Sequence, residues 1–295
     1  MPFVKKKFFI DREIKIFLYL MKIFDISQKE AQKWIDKKRV KLNGEILRKK
    51  GEIVKGELEV FVYEPLYSGL KPIFQTDDFA IFDKPSGLLV HPKNRETKYS
   101  LTDDVRVLFG NEANITHRID KETSGLVLCS KNKETESYFK KAFENREIKK
   151  GYLAYVRGEI KDEMTIEAPI LKNREYKDIK LKVKIDDRGK KAVTRIIPKR
   201  YFSDMDVTLI EAIPLTGRQH QIRAHMFHVK HPILGDPIYG VDFKTAQKYL
   251  DGRMREEERV ALTGAKRLML HAYWLEFRHK GLIYKIYSKG SFNLF

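Results

Sequence analysis

Thr116-His117-Arg118-Ile119-Asp120-Lys121-Glu122-Thr123-Ser124-Gly125-Leu126 leads straight into Val127-Leu128-Cys129. Four charged or titratable side chains crowd into positions 116–121, and from Gly125 the chain turns apolar. A short apolar run of this kind reads as a strand buried on both faces. The polar run before it reads as the loop that feeds the strand. Turn chemistry alone explains part of the pattern, since Asp120 can close a turn on Thr123 or Ser124. A loop tied to a buried strand is also a place where a carboxylate is held rigidly in a cleft, and Asp120 is the candidate.

Around this strand, Phe79–Phe82, Tyr152–Val156, Val207–Ile213 and Leu282–Tyr287 read as further strands. Helical spacing is rarer: Glu134–Asn145 puts Tyr138, Phe139, Ala142 and Phe143 on one side, and Gln219–Val229 opens a second helix. Strands without regular strand–helix alternation predict an α+β body with a mixed, largely antiparallel sheet and flanking helices. The Lys-rich stretch 172–191 alternates Ile179, Leu181, Val183 and Ile185, which predicts a strand with one exposed face. Residues 242–259, with Asp251-Gly252 and Glu256-Glu257-Glu258, read as a charged, mostly exposed insertion.

Two more polar segments sit in apolar context. Asp83-Lys84-Pro85-Ser86-Gly87-Leu88-Leu89-Val90-His91-Pro92 reads as strand, turn and strand. In Pro214-Leu215-Thr216-Gly217-Arg218-Gln219-His220-Gln221-Ile222-Arg223-Ala224-His225, Thr-Gly closes a strand and a helix begins with donors in a row. Backbone N–H groups with Arg218 and Arg223 at a helix start suit a phosphate or carboxylate. Ile222 and Met226 leave the polar residues facing a shared pocket.

Several chemistries lack their motifs. There is no G-x-x-x-x-G-K-[ST], no G-x-G-x-x-G and no G-x-S-x-G, so no nucleotide cofactor is expected. His220, His225, His228 and His231 cluster, but His220 and His225 face different ways on a helix and no H-E-x-x-H accompanies them. They read as structural or RNA-contacting residues, and no metal is expected. The single Cys129 excludes a disulfide scaffold and reads as a buried thiol. A hydrolase built on Ser124 or a histidine is disfavoured because the sequence pairs no Asp with a His.

The chain carries 59 Lys and Arg against 41 Asp and Glu, a net charge of +18 over 295 residues. That excess points to a polyanion. Residues 1–60 hold +7 of it, more than twice the density of the remainder. Ser27-Gln28-Lys29-Glu30 is a capping-box pattern opening a helix with Ala31, Trp34 and Ile35 inward and lysines outward. Ile14, Phe17, Leu20, Met21 and Phe24 form an earlier amphipathic helix, Asn43-Gly44 marks a hairpin, and Leu58–Tyr63 reads as a strand. No apolar run approaches the roughly 18 residues of a membrane span, and no signal peptide is evident. The expected location is the cytoplasm.

These segments carry a resemblance. Residues 1–65 resemble the alpha-L RNA-binding domain of the ribosomal protein S4 type, whose basic ridge would be Lys33, Lys37, Lys38, Arg39 and Lys41. D-K-P-S-G-L-L-V-H-P, H-R-I-D-K-E-T-S-G-L, T-G-R-Q-H-Q-I-R-A-H, G-D-P-I-Y-G and L-M-L-H-A resemble, in order, the signatures of the RluA family of pseudouridine synthases over residues 70–295. Ile119 stands where the family usually has Leu, and Asp83 where Asn often precedes Lys-Pro.

The resemblance implies isomerisation of uridine to its carbon-linked isomer within RNA, with no cofactor. It implies Asp120 as the catalytic carboxylate, Arg223 as its cationic partner, and Tyr152 as the residue that stacks on the uracil. Arg118 would fill the space left by the flipped base, while His117, Thr123, Arg218, His220, Gln221 and Lys84 would line the substrate. Whether Asp120 adds to the sugar, adds to the ring or assists glycal formation stays open. The N-terminal module favours large-subunit ribosomal RNA as partner of a monomeric enzyme. The alternatives are a transfer RNA substrate and a non-catalytic RNA-binding protein.

Overall fold

The computed structural model describes residues 2–94, 96–172, 182–290 and 292–293. Residues 3–63 form a four-stranded antiparallel sheet in the spatial order Phe3–Lys15, Ile53–Tyr63, Val40–Leu42, Glu45–Ile46. Two helices, Ile16–Phe24 and Gln28–Asp36, pack on it. The second is capped by Ser27, whose hydroxyl accepts the Glu30 N–H, and buries Ala31, Trp34 and Ile35 as its spacing predicts. Asn43 and Gly44 both take positive φ, as a tight hairpin with right-handed twist requires. The sequence reading missed the strand Phe3–Lys15 and placed Ile14 in a helix. Lysines at 5–7 hide the strand period, and long pairing with Ile53–Tyr63 overrides local preference.

The body is a ten-stranded sheet. Its main path runs Met164–Glu167, Val193–Phe202, Val207–Pro214, Lys149–Arg157, Leu270–His279, Ser124–Ser130, Phe79–Lys84, Phe74–Gln75. Asn114–Ile115 pairs with Ser124–Ser130, and Leu282–Tyr287 pairs with Leu270–His279. Every pairing in this sheet is antiparallel except that of Leu270–His279 with Ser124–Ser130. The fold is therefore mixed α+β with a largely antiparallel sheet.

Ser124–Ser130 is buried along its whole length. Leu126 and Leu128 join Phe79, Ile81, Phe139, Leu275 and Phe277 in one apolar cluster. Val127 and Cys129 point the other way, to Ala80, Phe82, Leu101 and Val105. Two helices supply the covers: Lys133–Glu144 on the first cluster, where Phe139 and Ala142 are buried and Tyr138 stays exposed, and Leu101–Phe109 on the second. Burial pushes the Cys129 thiol up to about 12.

At the parallel pairing, Gly125 lies beside Ala272 with φ +107°, and a Cβ there would stand 2.2 Å from the Ala272 carbonyl oxygen. Only glycine permits this approach, which fixes where the loop 116–123 leaves the strand.

Ile170–Lys172 pairs with Val183–Ile185, while Ile179 and Leu181 of the expected strand lie outside the described residues. Residues 242–259 differ from a featureless insertion. They contain the helix Phe243–Leu250 and the start of Glu256–Thr263, and Arg259 reaches inward from the latter.

Candidate active site

The loop 116–123, the strands Lys149–Arg157 and Val207–Pro214, and the helix Gln221–His228 enclose a cleft of about 790 Å³. Six cations line it, Arg118, Lys140, Arg146, Lys150, Arg218 and Arg223, against two carboxylates, Asp120 and Glu144. Thr123 donates its backbone N–H to the Asp120 carbonyl at 3.2 Å, closing the turn anticipated from sequence. The same turn leaves the Asp120 side chain 28 % exposed in the cleft. Turn chemistry and carboxylate placement are thus one feature.

Arg223 is 3 % exposed on the helix Gln221–His228 and is held from behind. Its Nε and Nη2 donate to the two oxygens of Asp236 at 2.7 and 2.8 Å, while its Nη1 donates to Asp120 Oδ2 at 3.2 Å. Asp236 also accepts the N–H groups of Ile238 and Tyr239. Burial works against the Asp236 charge, but Arg223 and these N–H groups outweigh it and hold the carboxyl below its usual range. Burial likewise opposes the Arg223 charge, and the two carboxylates raise its pKa in spite of it. The guanidinium is fixed by a bidentate pair, and its remaining edge directs Asp120.

Asp236 sits on a turn no ordinary residue could replace at its first position: Gly235 has φ +72°, and a Cβ would lie 1.7 Å from the Arg267 carbonyl oxygen. Asp236 was not anticipated as a site residue, although G-D-P-I-Y-G was noted. What marks it is a tertiary bond 13 residues from Arg223, which no local pattern shows.

His220 stands at the helix start with φ +52°, an uncommon conformation for a residue with a Cβ. Its Nε2 lies 3.7 Å from Asp120 Oδ2, and its Nδ1 lies 3.2 Å from the Tyr239 hydroxyl. Burial and the Arg223 charge pull His220 down to about 4, so it faces Asp120 as a neutral ring at pH 7. Tyr152 and Lys150 line the cleft together. Burial, with the Asp120 charge, raises the Tyr152 phenol above its ordinary range. Lys150 was missed as a site residue, although its i, i+2 spacing from Tyr152 on a strand puts both on one face. Burial lowers the Lys150 ammonium.

The other anticipated residues divide. Arg118 is exposed and lines the cleft. His117 lines it too, but its Nε2 accepts the Leu128 N–H at 3.0 Å and its ring packs at 4.6 Å on Phe143. Burial, with Lys150 near, pulls it down to about 3. Thr123 is buried at the loop's end, and Arg218 Nε donates to the Lys191 carbonyl. Gln221 turns its amide to the scaffold: Oε1 accepts from Thr216 and the Arg218 N–H, and Nε2 donates to Val193 and Thr194.

Lys84 is a correction: it does not reach the cleft. It is fully buried, and its three ammonium protons meet the carbonyls of Pro85, Leu88 and Lys121 at 2.9, 2.9 and 3.1 Å. It joins the turn 85–88 to the loop beside Asp120. Burial pulls it down to about 7 against the pull of Glu122 and Asp120. Arg259 clamps the same loop, donating to Glu122 at 2.7 Å and to the Gly235 carbonyl at 2.8 Å.

The absence of any Asp–His pairing is a second correction, since His279 Nε2 lies 3.0 Å from Asp78 Oδ2, and His271 reaches Asp83 indirectly through a serine. Ser124 Oγ lies 2.9 Å from His271 Nδ1, His271 Nε2 lies 2.8 Å from Ser288 Oγ, and Ser288 donates to Asp83. This relay ties three motifs together behind the cleft. Ser124 is buried and neither Ser124 nor Ser288 is among the cleft residues, so the relay does not face the cleft. His225 contacts Thr194 and the Ala168 carbonyl, and no group of three His, Cys, Asp or Glu among the described residues is placed to hold a metal.

In the N-terminal module, Lys33 on the helix Gln28–Asp36 and Lys37 and Lys38 in the turn after it are exposed, while Arg39 and Lys41 are half-buried. Among the described residues no helix is long and apolar enough to cross a membrane.

Residues 78–228 match the family model described as RNA pseudouridylate synthase, and residues 20–60 match the S4 domain. An "Uncharacterized RNA pseudouridine synthase" of Helicobacter pylori is 38 % identical over 98 % of this chain and 94 % of that protein. The "Ribosomal large subunit pseudouridine synthase D" of Xanthomonas campestris is 31 % identical over 86 % of this chain and 78 % of its own. The solved structure of human RNA pseudouridylate synthase domain containing 1 shares the fold, with a TM-score of 0.59 at 22 % identity over 78 % of this chain and 86 % of that one. The chain belongs to the RluA-type family of RNA pseudouridine synthases, isomerases here preceded by an S4 domain.

Proposed function

We propose that the chain isomerises specific uridines in large-subunit ribosomal RNA, with Asp120 as the essential carboxylate. The observation that carries this reading is the Asp120–Arg223–Asp236 chain at the floor of a cationic cleft. The reaction breaks the C1′–N1 bond of the uridine, turns the base, and joins C5 to the same C1′. The proton lost from C5 is matched by one gained at N1, so no group leaves and no redox change occurs. Breaking the glycosidic bond develops positive character at C1′, which an adjacent carboxylate stabilises or traps. Arg223 keeps Asp120 aimed, and Asp236 keeps Arg223 from swinging to a phosphate.

To enter the cleft the uridine leaves its stack, at a cost of a few kcal/mol. Arg118, exposed at the cleft, is suited to fill the vacated space. Tyr152 offers its ring to the uracil, with a phenol that stays protonated at neutral pH. His117 and Gln221 act as scaffold rather than contact groups, as their bonds indicate. Residues 1–65 form the gripping module, and residues 70–295 carry the chemistry. Two relatives whose printed names refer to the ribosomal large subunit favour that RNA over transfer RNA.

The test is to map pseudouridines in ribosomal and transfer RNA from cells with and without the gene. Loss at discrete large-subunit sites is expected. Loss confined to transfer RNA overturns the substrate assignment.

A further inference from the structure

Tyr63 ends the last strand of the N-terminal sheet, and its hydroxyl donates to Asp103 Oδ1 at 2.8 Å. Asp103 is fully buried in the first turn of the body helix Leu101–Phe109, where its other oxygen accepts the Ser100 N–H. Asp104 next to it accepts both the N–H and the hydroxyl of Ser68, at 2.8 and 3.0 Å. Residues 65–69, which join the two modules, are therefore anchored to the body at Ser68.

The docking brings cations of both modules onto one surface. Arg39 stacks 4.8 Å from the centroid of the Phe3 ring, Phe3 meets Tyr63 edge-on at 5.3 Å, and Arg106 stacks 4.9 Å from the Tyr63 ring. Arg106 belongs to the body helix, yet it closes a ladder begun in the N-terminal module. Its Nε is buried with no hydrogen-bond partner, an arrangement that costs stability unless something else keeps the residue there.

The electrostatics run the same way in both directions. Burial, then Arg39, Lys33 and Arg106, lower the Lys37 ammonium. Burial, then Arg118 and Arg106, pull His91 down to about 4. By geometry, Arg106 meets the ridge through the Phe3–Tyr63 ladder, and on its other side the same helix holds His91, whose Nδ1 lies 2.8 Å from Thr102 Oγ1, one turn before Arg106.

We propose that the module junction is itself an RNA-binding surface, on which Arg106 carries the ridge of Lys33, Lys37 and Arg39 onto the body, so that one RNA backbone spans ridge and junction. Planar guanidinia stacked on rings suit phosphate, which they bind bidentately. The Tyr63–Asp103 and Ser68–Asp104 bonds fix the distance between the gripping module and the reacting uridine. This inference rests on RNA being the substrate.

The test measures binding of the full chain to protein-free large-subunit ribosomal RNA across a salt series, together with pseudouridine formation. Arg106→Gln is expected to reduce the slope of log K against log salt by about one. Arg106→Lys is expected to keep the slope, which separates lost charge from misfolding. Lys161→Gln, in the loop before the edge strand Met164–Glu167, is expected to behave as wild type. Tyr63→Phe removes a hydroxyl and no charge, and it is expected to weaken binding several-fold because the surface comes apart. Wild-type binding by Arg106→Gln overturns the junction surface and leaves an acidic protein as the alternative partner. Wild-type binding by Tyr63→Phe overturns the docking. If the unaltered chain neither binds nor modifies this RNA, the functional reading beneath the inference fails instead.

Discussion

Lys33 and Lys37 stand on an exposed helix face, whereas Arg223 is 3 % exposed and pinned between Asp236 and Asp120. Lys33 pairs with Glu30 in open water, a contact worth little once salt is present. A cation on such a face acts on RNA by displacing counterions, so its effect is graded, additive and salt-dependent. Arg223 is coupled to two carboxylates away from water, where removing one partner strands a charge. The two regions hold the same kind of charge for different work: one adjusts affinity, the other fixes a geometry.

The hardest blow to the cleft is Asp120→Asn. It is expected to abolish isomerisation while leaving RNA affinity within a few-fold, read by a base-modification assay beside a binding curve. Appreciable product from this variant removes Asp120 from its role and with it the contrast between the regions.

Asp236→Asn comes next. It takes one charge from a buried pair and is expected to cost about 3–5 kcal/mol of stability, measured by denaturant unfolding. A loss below about 1 kcal/mol shows that the Arg223 cluster behaves like a surface pair.

Acid affects the body more than the ridge. His117, His91 and His220 are held at about 3, 4 and 4, while the unfolded chain protonates its imidazoles near 6.5. Between about pH 6.5 and 4 the unfolded state binds more protons, so stability falls as pH falls through that window. A melting temperature flat from pH 7 to 4 contradicts the burial of these rings.

The mildest change is Lys33→Gln with Lys37→Gln. It is expected to lower the salt slope of RNA binding by about two and to leave stability within about 0.5 kcal/mol. An unchanged slope takes the ridge out of the RNA interface.

Much of the fold was legible because burial leaves periodic traces. Leu126–Cys129 is apolar throughout since helices cover both faces of its sheet, and Ser27 with Glu30 marks a helix start through its own cap. Phe3–Lys15 was illegible because its stability comes from a partner some fifty residues on. Lys84 misled for a related reason: a lysine in a polar turn looks the same whether its ammonium meets a ligand or three carbonyls.

By itself the sequence determined the strand-rich α+β class, the basic front module and Asp120 in a loop feeding a buried strand, since all three follow from local order and composition. The tertiary structure alone decided that Asp236 aims Arg223, that Ser124 and His271 lie in a closed relay, and that Tyr63 docks on Asp103. Each of these is a bond between residues far apart in the chain, formed only where folding excludes water and makes an unpaired polar group costly.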